Sequence, residues 1–123
     1  MIRRKTRKTA GVIGLGIIGQ RAASGLRAAG FQTYVWNRNP KPAPNFLGSP
    51  AEVVRSAEVV QLFVADAPAL FDMIAAMSEA LTPAHVVVCS ATVGVEATLE
   101  AAKLVQGAGA RFLDAPFTGS KGA

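Results

Sequence analysis

Gly14, Leu15, Gly16, Ile17, Ile18 and Gly19 set three glycines at the spacing G-x-G-x-x-G, directly after the apolar pair Val12 and Ile13 and directly before an alanine-rich run. Placed between a strand and a helix, such a loop can cradle a pyrophosphate. The first glycine permits the tight turn, the second lets backbone approach the phosphates with no Cβ in the way, and the third lets helix and strand pack closely. The unpaired amides of the first helical turn then face the phosphates. Position makes the motif informative, since a glycine triplet elsewhere in a chain says little. A dinucleotide is the ligand expected, with flavin and S-adenosylmethionine as weaker competitors.

Asn37 and Arg38 occupy the place, after the second strand, where the adenosine ribose is read. A carboxylate there accepts from the ribose hydroxyls and repels a 2′-phosphate. No acid stands here, and a guanidinium can pair with phosphate through two parallel hydrogen bonds, so NADP is expected over NAD. The alternative for Arg38 is an ordinary exposed arginine.

Other reactive side chains carry less. Cys89 is the only cysteine and His85 the only histidine, so neither an internal disulfide nor the usual Cys/His zinc spacing is available. His85 reads as a loop or strand-edge residue. Lys121 follows Ser120 rather than glycine, and no Ser or Thr comes after it, which excludes a nucleotide-triphosphatase loop. Leu70, Met73, Ile74 and Met77 read as core rather than as a cofactor box.

The elements that would position these residues follow from short apolar runs alternating with segments of helical period. That alternation predicts an α/β fold of Rossmann type, a doubly wound parallel sheet covered on both faces. Strands are expected at 11–13, 33–36, 59–64, 86–89 and 111–113, with a very short one at Phe46 and Leu47. A helix is expected over 17–29 with Ile18, Ala22, Gly25 or Leu26, and Ala29 facing the sheet, and Gly30 ending it. Pro40, Pro42 and Pro44 make the crossover after the second strand an extended loop. Ser49, Pro50 and Glu52 form a capping box opening a short helix to about Ser56. Asp66 and Pro68 open a helix whose Leu70, Ile74, Met77 and Leu81 share a face. A last helix over 94–106 would present Val95, Leu99 and Ala102, with Gly107 as its end.

The chain has 123 residues, half of them hydrophobic, which suits a single domain with a substantial core. Its net charge of +5 belongs to one end, because Arg3, Arg4, Lys5, Arg7 and Lys8 lie in the first eight residues while the other eight basic residues balance eight acidic ones. Residues 1–9 are therefore expected as a basic flexible tail and 10–123 as the folded domain. No aromatic residues interleave with the tail charges, so a nucleic-acid role has no stacking support. The apolar stretch at 12–18 is short and broken by glycine, unlike a signal peptide, and no run approaches membrane-spanning length. A cytoplasmic protein without structural metal and without membrane contact is expected.

Taken together, three stretches resemble the β-hydroxyacid dehydrogenase family, which includes 3-hydroxyisobutyrate dehydrogenase, the glyoxylate and succinic semialdehyde reductases, and 6-phosphogluconate dehydrogenase. They are Val-Ile-Gly-Leu-Gly-Ile-Ile-Gly at 12–19, Val-Trp-Asn-Arg at 35–38, and Asp-Ala-Pro-Phe-Thr-Gly-Ser-Lys-Gly at 114–122. The resemblance implies that Thr118, Gly119 and Ser120 match the family's substrate signature, in which a hydroxyl and backbone amides hold a carboxylate. Ser120 departs from the second glycine of that signature and adds a side chain where backbone should approach. Thr92 resembles the segment beside the nicotinamide, and Val64 with Ala65 would lie against the cofactor. The family's catalytic lysine lies on a helix well beyond the signature. The resemblance thus implies a domain incomplete at its C-terminal end and inactive alone, whose full-length form is a homo-oligomer acting on a small carboxylate-bearing substrate. The function expected is NADP binding within an oxidoreductase that transfers hydride between NADP(H) and a small β-hydroxy acid or its aldehyde or keto partner. The alternative is a non-catalytic dinucleotide-sensing or partner-binding module.

Overall fold

A computed structural model describes residues 8–115. Five strands alternate with four helices: Thr9–Ile13 (β1), Ile17–Ala28 (α1), Gln32–Trp36 (β2), Pro50–Ser56 (α2), Val59–Leu62 (β3), Ala67–Met77 (α3), Val86–Cys89 (β4), Val95–Gly107 (α4) and Arg111–Asp114 (β5). All pairings are parallel, in the order β2-β1-β3-β4-β5. The chain runs outward from β1 to β2 and then crosses to the other side of β1. The junction between β1 and β3 is thus the switch point at whose carboxyl end ligands bind in open α/β sheets.

Local chemistry sets the boundaries. Ser49 Oγ accepts from the Glu52 amide at 3.2 Å, while Glu52 reaches back to the Gly48 amide at 3.0 Å, one residue before the expected partner. Asp66 caps α3 through the Ala69 amide at 2.9 Å. Gly30, at φ +96, closes α1 as expected, with its N–H on the Arg27 carbonyl. The proline-rich crossover holds no helix; it meets β2 through a Val35–Phe46 bridge and through Asn45 Nδ2, which donates to the Thr33 carbonyl at 3.1 Å.

Several expected boundaries shift. β1 begins at Thr9, which pairs with Gln32, so the folded region takes in a residue assigned to the tail. β3 ends at Leu62 rather than at residue 64, because its partners β1 and β4 end opposite it. α3 stops at Met77 and passes into a 3₁₀ turn, Ser78–Ala80, where Ser78 Oγ donates to the Ile74 carbonyl. Leu81 is buried beyond the helix. α4 runs through Gly107, and Gly109 at φ +101 follows it.

The helix faces also differ from expectation. α1 buries Gly19 and Ala23, and α4 buries Ala101 and Val105, whereas Val95 and Leu99 are 75% and 60% exposed. Apolar residues span a wide arc of α4 opposite the Glu96, Glu100 and Lys103 stripe, so its period does not single out which of them face the sheet. The main core gathers Ile13, Leu62, Val87 and Cys89 from the sheet with residues of α2, α3 and α4. The opposite core is small: Val12, Leu15, Ala23 and Val35. Strand register places Val59, Val86, Val88 and Leu113 on that second face. There α1 covers β1 and β2. Among the described residues no helix covers the same face over β3–β5, and Leu113 is 56% exposed. Full cover of both faces is not realised there.

Candidate dinucleotide site

The glycine loop is held from three sides. The Gly14 N–H donates to the Trp36 carbonyl at 2.9 Å and the Phe63 N–H to the Ile13 carbonyl at 2.8 Å, extending both ladders past the strand ends. Gly14 sits at φ +103, and a Cβ there would collide with the Phe63 carbonyl oxygen. A Cβ on Gly19 would collide with the Gly14 carbonyl oxygen, so this glycine lets α1 pack tightly onto the loop. Packing accounts for both residues.

Gly16 is different. Its φ of −71° is open to any residue, and a Cβ on it would meet no atom within 4 Å. Nothing in the protein requires glycine there. What its missing side chain leaves is an open approach to the first-turn amides of α1, which have no helical acceptors and no side-chain cap. A pyrophosphate fits that cradle in shape and in charge.

Leu15 plays another part. Its side chain is buried among Val12, Ala23 and Val35, and its N–H donates to Asn37 Oδ1 at 2.6 Å. Its carbonyl accepts from Gln20 Nε2 at 2.9 Å. Leu15 therefore shapes the loop from behind and offers no free donor to a ligand. Asn37, expected at a selectivity position, also donates through Nδ2 to the Asn39 carbonyl at 2.7 Å. It ties the end of β2 to the glycine loop, a link the sequence reading missed.

Two cavities flank the loop. One, of about 130 Å³, is lined by Gly14, Trp36, Asn37 and Arg38 on the β2 side and by Val64, Ala65, Ala69 and Met73 on the other. The second, of about 460 Å³, is lined by Gly16, Ile17, Ile18, Gly19, Phe63, Val64, Ala65, Ser90 and Thr92. Phe63, Val64 and Ala65 belong to both. Every expected cofactor residue except Leu15 thus lines one continuous region at the carboxyl ends of β1, β2, β3 and β4. Ser90 joins it without having been singled out; its position one residue past β4 was the available signal. Arg38 is exposed and lies 3.5 Å from Asp72 of α3. Thr118, Gly119 and Ser120 lie outside the described residues.

Two polar residues elsewhere have structural roles. His85 is buried, with Nδ1 accepting from the Thr82 N–H at 2.9 Å. Its Nε2 must therefore carry the proton, donated to the Val54 carbonyl at 2.7 Å. The expected strand-edge histidine is a bridge from β4 to α2. Cys89 lies in the core, and burial pushes its thiol pKa up.

Comparison with known proteins agrees with this geometry. The sequence profile for the NAD binding domain of 6-phosphogluconate dehydrogenase matches residues 9–123. The mouse cytokine-like nuclear factor N-PAC is 32% identical over 94% of this chain and 22% of its own length. The chloroplastic glyoxylate/succinic semialdehyde reductase 2 of Arabidopsis thaliana is 30% identical over 90% of this chain and 34% of its own. Among solved structures, a 3-hydroxyisobutyrate dehydrogenase of Mycobacterium tuberculosis with L-serine superposes at a TM-score of 0.83, with 25% identity, covering 94% of this chain and 42% of that one. An imine reductase from Bacillus cereus gives 0.82 and 27%, covering 93% and 42%. The chain thus spans about a fifth to a third of these curated relatives and about two fifths of the solved proteins. On profile, fold and loop geometry alike, this chain belongs to the family of the NAD binding domain of 6-phosphogluconate dehydrogenase.

Proposed function

We propose that the chain binds NADP(H) as the cofactor domain of an oxidoreductase that moves hydride between the nicotinamide and a small β-hydroxy acid or its carbonyl partner. The observation carrying the binding role is Gly16: an open cradle over the first-turn amides of α1 that no packing need explains. The preference for NADP(H) is supported by the end of β2. No carboxylate stands there, the Asn37 oxygen is committed to the Leu15 amide, and Arg38 lines the cavity beside them. The glycine loop and α1 would hold the pyrophosphate, Arg38 the 2′-phosphate, and Val64, Ala65, Ser90 and Thr92 the nicotinamide end. Bound there, the cofactor would supply or accept the hydride. The cavity that Thr92 shares with the glycine loop holds no lysine, histidine or carboxylate among its described lining residues, and the one on the other side of Thr92 adds only Asp114. The chain by itself is therefore proposed to bind the cofactor without appreciable turnover, and substrate chemistry is assigned to a longer protein.

The test is a titration with NADPH and, separately, NADH, followed through Trp36, which lines the smaller cavity. NADPH binding at least tenfold tighter, about 1.4 kcal/mol, supports the reading; equal affinities overturn the NADP preference, and no binding by a folded chain overturns the cofactor role.

Similarity to proteins named as nuclear factors rather than as reductases favours a second reading, a non-catalytic dinucleotide-sensing or partner-binding module. It predicts that NADPH changes self-association of the chain, measured by sedimentation, whereas the first reading predicts none.

A further inference from the structure

Arg38 does not stand free beside the smaller cavity. Its guanidinium lies 3.5 Å from Asp72 Oδ2, and both side chains are more than half exposed. Asp72 belongs to α3, whose Ala69 and Met73 form the cavity wall facing Gly14 and Asn37. The pair therefore spans the rim from the end of β2 to α3. An exposed pair of this kind adds little to folding stability, so its consequence is sought at the site it borders.

We propose that Asp72 is a specificity-determining residue that competes with the adenosine 2′-phosphate for Arg38 and so restrains the preference for NADP(H) over NAD(H). The inference rests on the reading of Arg38 as the 2′-phosphate partner. When the phosphate arrives, Arg38 either leaves Asp72 for it or holds both. In the first case an ion pair is lost, and in the second a carboxylate lies close to a dianion. Either way Asp72 opposes the phosphorylated cofactor. NAD(H) carries a hydroxyl at that position, which asks nothing of Arg38 and is not repelled. A carboxylate that selects NAD(H) usually comes from the end of β2; here one approaches from α3 instead, with its charge balanced by Arg38.

The test compares the full chain with its D72N and R38A variants. Both positions are exposed, so folding is preserved, which circular dichroism checks. Affinities for NADPH and NADH are measured, with 2′,5′-ADP and 5′-AMP as probes of the adenosine end alone. D72N is expected to tighten NADPH and 2′,5′-ADP by about three- to tenfold, the range for one exposed charge acting on a dianion. NADH and 5′-AMP should stay within about twofold, and the gain should shrink as salt is raised. In the R38A background the D72N gain should shrink, because there is no cation left to compete for and only the direct repulsion between Asp72 and the phosphate remains. If D72N leaves the NADPH-to-NADH ratio unchanged while R38A lowers it, Asp72 has no such role and the reading of Arg38 stands. Weaker NADPH binding by D72N overturns the proposal too, since Asp72 would then orient Arg38 rather than compete for it. If R38A itself leaves the ratio unchanged, the reading of Arg38 falls and the proposal with it.

Discussion

Replacing Gly16 by alanine separates a residue kept for the fold from one kept for the ligand. At φ −71° the new side chain is conformationally free of strain, and no protein atom lies within 4 Å of its Cβ. Loss of glycine's flexibility in the unfolded chain stabilises by about 0.4–1 kcal/mol. Alanine is a poorer N-cap than glycine by an amount of similar size and opposite sign. The net change in stability should therefore lie within about 0.5 kcal/mol, or roughly 2 °C in Tm for a domain of this size. Binding should respond quite differently. The methyl group occupies the approach to the α1 amides, so NADPH and NADH should both weaken by at least about tenfold, or 1.4 kcal/mol. Gly19→Ala is the internal contrast: its Cβ falls on the Gly14 carbonyl, backbone against backbone, and should destabilise the fold by about 2 kcal/mol or more. Thermal unfolding by circular dichroism and cofactor titration through Trp36 read the two effects independently. A Gly16→Ala chain that folds normally and binds NADPH within twofold of the parent would refute the placement of the pyrophosphate at the start of α1.

Asn37→Asp keeps the acceptor for the Leu15 amide, loses the exposed donor to the Asn39 carbonyl and adds a carboxylate beside the adenosine cavity, so folding should persist with a modest loss of stability while the NADPH-to-NADH affinity ratio falls at least about fivefold; paired titrations check this. His85→Ala should lower stability in urea by about 2–4 kcal/mol, because the Val54 carbonyl and the Thr82 amide both lose their partner, yet it should leave that ratio unchanged. Cys89 should resist a thiol reagent until the chain unfolds, since it is fully buried. Its pKa is raised by burial, so its contribution to stability is complete below the ordinary thiol range and is lost as pH climbs through the raised value. The stability margin of the parent over Cys89→Ala should accordingly narrow in alkali, as denaturant titrations at rising pH would report.

Much of this arrangement was legible in the sequence because single residues fixed it. The glycine triplet, the Ser49–Glu52 box and Asp66 with Pro68 each specify a local geometry whatever packs around them. The helix faces were less legible. α1 docks through Gly19 and Ala23, small residues that a hydrophobic period underweights, because close approach to Gly14 matters more there than buried area. α4 carries apolar side chains on every side but the one holding Glu96, Glu100 and Lys103, and the sheet it meets selects Ala101 and Val105 from that wide apolar arc. Within the site, Arg38 was found by its chemistry and its distance from the glycines. The partners of Asn37 were not, since a hydrogen bond to a backbone amide 22 residues away leaves no pattern in the chain. Nor did anything mark Asp72, an exposed acid on a helix, as the neighbour of Arg38.

The uneven cover of the sheet should show in hydrogen exchange. Amides that open through local fluctuation exchange fastest where few apolar groups resist the opening. Among the described residues β5 is an edge strand, and no helix covers the second face of β3–β5. Protection should therefore decline from β1 across β3 and β4 to β5. The glycine loop hangs from the slowly exchanging end, tied to Trp36, Phe63 and Asn37. Dilute denaturant should then strip deuterium protection from β5 at concentrations that leave the affinity for NADPH untouched, so the domain can breathe at one edge while its cofactor loop stays set.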